Sequence, residues 1–366
     1  MSEMHETALH ERPNTPGPPR MNLRPLALAL MLAVLVALFA ITLSIGSVTI
    51  PLRDIGLILA GGEPARATWS QIVLLFRLPK AITALLAGAS LAVAGLEMQT
   101  LFRNPLADPF VLGVSSGASL GVALVVLTAG STLSGAVLVS GLSLLADLGV
   151  VAAASLGAAL VMALVMLAAR RVKTMTLLIL GLMFGYATNA AVSILLHFSI
   201  SERIQAYIAW TFGSFGSTTW QELRVFAPVL LLALLVAQVM VKPLNALLLG
   251  ESYARSMGLN VARARFWLLA STAILSGVVT AFCGPIGFIG VAVPHMARAV
   301  FRTSDHRVLI PAVTLLGSIT ALLADFVAGV PGSQIVLPLN AITALIGAPV
   351  VVWVILNRKG IKETFA

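Results

Sequence analysis

Three carboxylates, Glu97, Asp147 and Asp325, fall inside long apolar runs of the chain. An ionisable side chain at the centre of a bilayer costs about 3 kcal/mol on insertion scales, so such residues usually have partners or a function. Their chemistry would be proton transfer, and together they could form a relay in an ion-coupled transporter. Asp147 and Asp325 are expected near the outer interface, where the cost of a charge falls.

Glu97 has three possible roles: it could line a pathway, contact a substrate, or be neutral and hydrogen-bonded. We favour the last. Arg103 lies six residues further on, nearly two helical turns, so direct pairing of Glu97 with Arg103 is not assured.

The lone Cys283 is typical of a small core residue. A lone histidine such as His295 is more often structural than catalytic, so it is given no proton chemistry. Neither a nucleophile–base pair nor a Cys/His metal cluster is recognisable, so no catalytic residue, metal ligand or bound cofactor is predicted.

The composition requires a membrane environment. Of the 366 residues 59% are hydrophobic and only 10% are charged, and the mean hydropathy is +1.01. A soluble protein of this length would need far more charge to cover its surface. The net charge of +9 would suggest nucleic acid in a soluble protein. Here the basic residues stand in short gaps between apolar runs, which favours membrane anchoring and orientation over nucleic-acid binding.

A spanning helix needs roughly 20 apolar residues, and this rule predicts an all-α membrane protein with about ten spans. Residues 1–24 are predicted to be a disordered cytoplasmic tail, 25–358 a transmembrane domain, and 359–366 a second cytoplasmic tail. The predicted spans are 25–45, 70–102, 110–130, 145–169, 174–199, 224–242, 265–283, 285–302, 308–329 and 336–357.

The basic residues predict the orientation of these spans. With the N-terminus inside and ten spans, 17 of the 23 Lys and Arg residues fall on the inner side. The outer six are Arg53, Arg66, Arg77, Lys80, Arg203 and Arg224. Because cytoplasmic loops carry an excess of positive charge, this distribution predicts a multi-pass protein with both termini in the cytoplasm.

The stretch "RNPLADPFVLGVSSGASLG" (103–121) interrupts the apolar pattern. Asn104-Pro105 should end the second span, because proline lacks an N–H and restricts the residue before it. Asp108-Pro109 should begin the next helix, with Asp108 as its cap. Gly113, Gly117 and Gly121 follow at fourfold spacing, which predicts a helix face that allows close packing against another helix.

This stretch resembles a signature of the permeases of type II ABC importers, the FecCD-like family that imports iron-siderophores, haem and cobalamin. Four further segments resemble the same family in the same order, and together they cover nearly everything after residue 25. They are "RLPKAITALLAGASLAVAG" (77–95), "GESYARSMGLNVARAR" (250–265), "GPIGFIGVAVPHMAR" (284–298) with the following "DHR" (305–307), and "LPLNAITALIGAPVVVWV" (337–354).

The resemblance implies that residues 244–266 form a cytoplasmic coupling segment that docks on a separate ATPase. The sequence supports a rigid knob there, with Gly250 before a helix that begins at Glu251 and Gly258-Leu259-Asn260 as its C-cap. An amphipathic helix lying on lipid is the alternative. The expected coupling residues are Gly250, Glu251, Ala254, Arg255, Met257, Gly258 and Leu259. The chain has no GxxxxGK[ST] motif, so ATP and Mg²⁺ are expected on the partner subunit.

The resemblance also assigns residues at both ends of the pathway. Arg77 and Lys80 are expected to dock a substrate-binding protein, although interfacial snorkelling would also explain them. Gly329 stands where relatives can carry a further basic residue. Asn104, Leu106 and Thr174 are expected to narrow the inner exit, and His295 and Arg298 are expected to face the cytoplasmic interface.

The favoured hypothesis is therefore a non-enzymatic transport subunit in the bacterial cytoplasmic membrane. It would form a homodimer with two ATP-binding subunits and an extracytoplasmic binding protein, and import an iron complex such as a siderophore or haem. Iron complexes are chosen because they form the larger share of the family. Cobalamin is the alternative substrate, and an ion-coupled secondary transporter using Glu97, Asp147 and Asp325 is a less favoured one.

Overall fold

The computed structural model describes residues 24–128, 143–169, 171–172, 174–330, 332 and 335–356. These residues form helices and contain no strand, which confirms the predicted all-α class. Seven of the described helices are long and apolar enough to cross a membrane, and three shorter apolar helices accompany them. Each of the ten coincides with one predicted span. Both predicted tails lie outside the described residues, apart from Arg24.

Fifteen α-helices can be followed through the described residues. In chain order they are α1 (Arg24–Ser44), α2 (Leu52–Leu59), α3 (Ala67–Gln71), α4 (Leu78–Leu101), α5 (Val114–Thr128), α6 (Ser143–Ala169), α7 (Thr174–His197), α8 (Ser201–Thr211), α9 (Trp220–Val239), α10 (Val241–Leu248), α11 (Glu251–Ser256), α12 (Val261–Cys283), α13 (Ile289–Phe301), α14 (His306–Ala328) and α15 (Leu339–Leu356).

Helix α4 is the centre of the bundle. A π-helical turn, Ile72–Arg77, joins it without a break to α3. From Leu86 to Leu101 every residue of α4 is buried, because the helix packs against α12, α13 and α14 and also touches α9. Small residues such as Gly88 and Gly95 and a carboxylate such as Glu97 belong at helix contacts inside a membrane bundle rather than at its lipid surface, which agrees with this position.

Glycines allow the helices around α4 to approach until their backbones touch. A Cβ built on Gly88 would lie 2.2 Å from the carbonyl oxygen of Gly317 in α14, and one on Gly95 would lie 1.8 Å from that of Gly290 in α13. Neither position has room for a side chain. Such close approach replaces the hydrophobic driving force that two helices lack when lipid surrounds them.

The glycine run after Asp108 divides between two structures. Gly117 and Gly121 lie on α5, and a Cβ on them would lie 2.5 Å from the Gly157 oxygen and 2.0 Å from the Ala153 oxygen of α6. Gly113 precedes α5 and has a φ of 77°. The expectation that all three share one helix face is therefore wrong for Gly113. Pro109 and the Asp108 cap form a short 3₁₀ turn, Pro109–Leu112, and only a residue that tolerates positive φ can link this turn to α5.

We predict that Gly117→Ala lowers the free energy of unfolding by about 2 kcal/mol, because the added methyl group forces α5 and α6 apart. Gly56→Ala is the control, since nothing lies within 4 Å of a Cβ there, and it should stabilise α2 by about 0.5 kcal/mol. Denaturant unfolding of the purified chain in micelles measures both changes. Equal free energies of unfolding for the two variants would show that the close contact between α5 and α6 does not stabilise the fold.

Candidate functional site

The coupling segment folds as a short helix between two glycine turns. Gly250, with a φ of 104°, forms the turn between α10 and α11, and α11 then runs for six residues. At the other end the Gly258 N–H donates to the Arg255 carbonyl (2.9 Å) and the Leu259 N–H to the Ala254 carbonyl (3.0 Å), with φ of Gly258 at 83°. This paired arrangement is a Schellman cap, which fixes the end of α11.

Asn260 has a different role from the predicted one. Its side-chain oxygen accepts a hydrogen bond from the Arg263 N–H at 3.0 Å, so it caps the start of α12. The expectation that Gly258, Leu259 and Asn260 form one C-cap is therefore wrong for Asn260. An asparagine is among the strongest N-cap residues, and the next helix begins immediately after it.

The coupling segment exposes apolar side chains at its outer surface. Leu249 is 58% exposed, Tyr253 52% and Met257 56%. Tyr253 lies on α11, Met257 follows its last residue, and Leu249 precedes the Gly250 turn. Ala254 is fully buried and anchors the helix on the bundle. Large exposed apolar groups gathered in and around a short helix are typical of an interaction surface. Sequence reasoning included Met257 but missed Leu249 and Tyr253.

Thr174 contacts the coupling segment. Its hydroxyl donates to Glu251 Oε1 at 2.6 Å, and it accepts a hydrogen bond from the Arg265 guanidinium at 3.4 Å. Arg265 also donates to the carbonyls of Ala169 and Val172, at the end of α6. The structure thus joins Thr174 to residues 244–266, whereas Asn104 and Leu106 lie together in the loop that follows α4.

The loop after α4 is held from both sides. Arg103 has a φ of 47°, and the Asn104 N–H closes the helix end by donating to the Gln99 carbonyl at 3.1 Å. The Asn104 side chain accepts from the Leu106 N–H at 3.0 Å, which leaves the Leu106 side chain 42% exposed. His295 Nε2 donates to the Pro105 carbonyl at 2.7 Å. A Cβ on Gly250 would lie 3.4 Å from the Arg103 guanidinium, so this loop also approaches the coupling segment.

The expectation that His295 faces the cytoplasmic interface is wrong. The side chain is buried because α13 packs against α4 and the loop after it, and the ring ties down that loop. Arg298, one turn later, is half-buried and donates to the Gln99 side chain at 2.6 Å. Both residues therefore position the end of α4 instead of forming an outer surface.

Glu97 lies in the packed core and is 1% exposed. The Ser271 hydroxyl donates to one carboxyl oxygen at 2.9 Å and the Thr272 hydroxyl to the other at 2.8 Å. The expected hydrogen bonds are confirmed, the neutral state of the carboxyl group stays a prediction, and the group fastens α4 to α12. The Asp147 side chain lies outside the described part of the chain, so its proposed place in a proton relay stays a prediction.

The opposite end of the bundle contains Arg77 and Lys80. The Arg77 guanidinium donates to the carbonyls of Leu43 (2.7 Å), Ser44 (2.9 Å) and Val48, and so satisfies the end of α1. Lys80 forms an ion pair with Asp325 at 3.0 Å, and the two side chains are 34% and 13% exposed. Both basic side chains therefore have intramolecular partners, which sequence reasoning did not anticipate.

A cleft of about 350 Å³ opens beside this ion pair. Arg77, Lys80, Asp325 and Gly329 line it together with apolar side chains such as Phe76. Gly329 contributes no side chain, and Lys80 is the counter-charge of Asp325. The role of this rim in docking a binding protein remains a prediction.

Comparison with known proteins places this geometry in a family. The model of the FecCD transport family matches residues 34–357. The chain belongs to the FecCD transport family. Vitamin B12 import system permease proteins BtuC are similar to it: that of Salmonella paratyphi A (strain ATCC 9150 / SARB42) is 38% identical over 304 residues, covering 82% of this chain and 88% of the relative. The protein of Salmonella arizonae is 37% identical over 302 residues, covering 82% and 87%.

A solved structure agrees with the fold. A metal-chelate type ABC transporter in an inward-facing conformation aligns with a TM-score of 0.78 and 28% identity, covering 92% of this chain and 99% of the other. This FecCD protein is therefore a multi-pass membrane permease subunit of a type II ABC importer. Separate ATP-binding subunits power the transport, and a substrate-binding protein delivers the substrate, as in other ABC importers.

We predict that Glu97→Ala lowers the free energy of unfolding of the FecCD protein by about 3 kcal/mol. Two buried hydroxyls lose their acceptor and a cavity remains between α4 and α12. Glu97→Gln keeps the volume and an acceptor oxygen, and should stay within about 1 kcal/mol of the parent chain. Unfolding in micelles measures both. An alanine variant as stable as the glutamine variant would contradict the stabilising role of the Glu97 hydrogen bonds.

The ion pair between Lys80 and Asp325 is expected to affect the stability of the fold, because removing one partner leaves the other as an unpaired buried charge. Lys80→Met should lower the free energy of unfolding by about 2 kcal/mol, because Asp325 is left without a counter-charge. The double variant Lys80→Met with Asp325→Leu should recover most of that loss. The same unfolding assay distinguishes the two cases, and a double variant less stable than the single one would refute this explanation.

Proposed function

We propose that this FecCD protein forms the membrane pathway of an ATP-driven importer of cobalamin. The supporting observation is its 37–38% identity to vitamin B12 permeases across 82% of its length. The solved transporter that shares its fold is described as metal-chelate type, a description that fits cobalamin, a cobalt chelate, as well as haem and ferric siderophores. The initial preference for an iron complex depended only on the size of that branch of the family, so cobalamin now replaces it.

The ATPase partner would dock on the coupling segment. The exposed Leu249, Tyr253 and Met257 supply an apolar contact surface, and Arg255 beside them is 67% exposed and pairs with Glu251 at 3.7 Å. Apolar anchors with a charged rim are the usual anatomy of a protein interface. ATP and Mg²⁺ would bind only to the partner, and their binding and hydrolysis would move α11 and alternate the opening of the pathway.

A second copy of the chain would complete the pathway. Within α7 only Leu177, Gly181 and Val192 are fully buried among the described residues, and Tyr186, Asn189 and Ser193 are exposed in the middle and outer half of this spanning helix. Polar side chains at membrane depth are found against protein or a water-filled cavity, not lipid. This face of α7 therefore supports a homodimer with the substrate pathway between the two copies.

The binding protein would dock on the opposite end, at the rim that contains Arg77 and Lys80. Lys80 is the more available of the two, because three backbone carbonyls already occupy the Arg77 guanidinium. Acidic groups on the partner would align the complex and raise its rate of formation more than its affinity. The cleft beside Gly329 gives this rim room for a partner side chain.

The substrate assignment is tested with the complete transporter in liposomes, with the binding protein and ATP supplied. Labelled cyanocobalamin should enter, and unlabelled cobalamin should compete with it, whereas ferric siderophores and haem should not. The binding protein alone should show the same preference by calorimetry. Uptake of a ferric siderophore without uptake of cobalamin would refute the assignment while leaving the importer architecture intact.

We predict that Tyr253→Asp combined with Met257→Asp lowers ATP-driven uptake at least about tenfold, because two charges enter an apolar contact. Co-purification of the ATPase should be lost while the unfolding midpoint of the chain stays unchanged, since both side chains are exposed. Gln221→Asp is the control at an exposed position on the opposite end of the bundle. Normal uptake by the double variant would exclude this surface as the docking site.

A further inference from the structure

The start of α7 is attached to the coupling segment through side chains of both signs. Thr174, the first residue of α7, donates its hydroxyl hydrogen to Glu251 Oε1 at 2.6 Å. A distance this short is typical of an O–H donor bound to a carboxylate. Arg265 donates to the same threonine oxygen at 3.4 Å. The hydrogen bonds therefore run in one direction, from cation through hydroxyl to anion, so that each polarises the next.

The end of α6 is attached at the same place. The Arg265 guanidinium donates to the carbonyls of Ala169 and Val172, the latter at 3.2 Å. Ala169 is the last residue of α6, so a positive charge meets the negative end of that helix, and the carboxylate of Glu251 meets the positive end of α7. Each charge thus lies where the helix dipole favours it.

Both charged residues belong to rigid parts of the coupling segment. Glu251 opens α11, whose ends are fixed by Gly250 and by the Schellman cap at Gly258. Arg265 lies in the second turn of α12, behind the Asn260 cap. A displacement of α11 would therefore reach Thr174 through the side chain of Glu251, with no flexible loop between them.

Helix α7 packs on one side only. It contacts α5, the 3₁₀ turn and α6, and its other side is exposed, including Met175 and Ile179 near its start. The hydrogen bonds of Thr174 with Glu251 and Arg265 join the start of this helix to the coupling segment.

We propose that Glu251 and Arg265 are positioning residues that fasten the end of α6 and the start of α7 to the coupling segment, so that movement of the coupling segment moves the pathway helix. We call the contacts of Glu251, Arg265 and Thr174 the latch. The proposal rests on the proposed function, because it presumes that an ATPase moves α11. It adds a residue-level connection between ATPase docking and the pathway.

The test compares Thr174→Val, which removes the hydroxyl at nearly constant volume, with Thr174→Ser, which keeps it. In the reconstituted transporter, Thr174→Val should reduce substrate imported per ATP hydrolysed about tenfold while ATP hydrolysis continues. Thr174→Ser, which keeps the hydroxyl, should restore the import per ATP of the parent chain. Thr314→Val is the matched control, since the Thr314 hydroxyl donates to the Ile310 carbonyl of its own helix.

Non-additive effects of substitutions at Thr174 and Glu251 would identify the hydrogen bond between them as the contact that matters. If Thr174 acts through Glu251, the double variant Thr174→Val with Glu251→Ala should import no less per ATP than Glu251→Ala alone. A multiplied loss in the double variant would overturn the proposal, as would normal coupling in Thr174→Val.

A second readout needs no substrate. Spin labels at Met175→Cys and Met257→Cys, both exposed positions, are placed in a Cys283→Ala background. The distance distribution in the purified full chain should be narrow with the native threonine or with Thr174→Ser, and broad after Thr174→Val. An unchanged distribution in Thr174→Val would overturn the latch. If the parent transporter fails to import cobalamin but the distribution still broadens, the substrate assignment fails and the latch stands.

Discussion

Polar groups inside a membrane bundle depend on partners within the protein, and the last two turns of α4 show how this chain supplies them. The backbone of α4 approaches α13 and α14 at positions where no side chain fits. Three polar residues near the end of α4 are bonded across to neighbouring helices. Glu97 binds two hydroxyls of α12, Gln99 accepts from Arg298, and Thr100 contacts His306 at 2.8 Å. A sliding motion of α4 against these helices would leave several buried groups without partners, at about 1–3 kcal/mol each.

The polar contacts continue from α4 to the end of the bundle that contains the coupling segment. The second ring nitrogen of His306 contacts the Asn245 side chain at 2.7 Å, and Asn245 in turn donates to Asp305 at 2.7 Å. Although burial alone would raise the pKa of the Asp305 carboxyl group, hydrogen bonds from the Arg307 N–H and Asn245 and the nearby charge of Arg307 hold it below its ordinary value. Helices α4, α10, α12, α13 and α14 therefore form one cross-linked body. In contrast, α7 packs on one side only, against α5, α6 and the 3₁₀ turn, which suits the proposed movement of this helix.

The sequence was sufficient for the architecture because hydropathy and charge act over whole segments. Ten apolar runs became ten apolar helices, and the order of the family motifs identified the family. Predictions for single side chains were less successful, because they depend on partners that are distant in the chain. Arg77 and Lys80 are basic residues at a rim in the sequence, yet one caps α1 from 33 residues away and the other pairs with Asp325. Likewise, nothing near Thr174 in the sequence indicates Glu251, 77 residues later.

The central claim is that the work of transport enters this FecCD protein through residues 244–266 from a separate ATPase. The most direct measurement compares two liposome preparations. The first contains the chain alone under an imposed proton gradient, and the second contains the complete complex with ATP on the side of the membrane where the ATPase subunits lie. Cobalamin uptake is expected only in the second preparation, and it should be lost when ATP is replaced by a non-hydrolysable analogue. Accumulation driven by the gradient through the isolated chain would contradict the central claim.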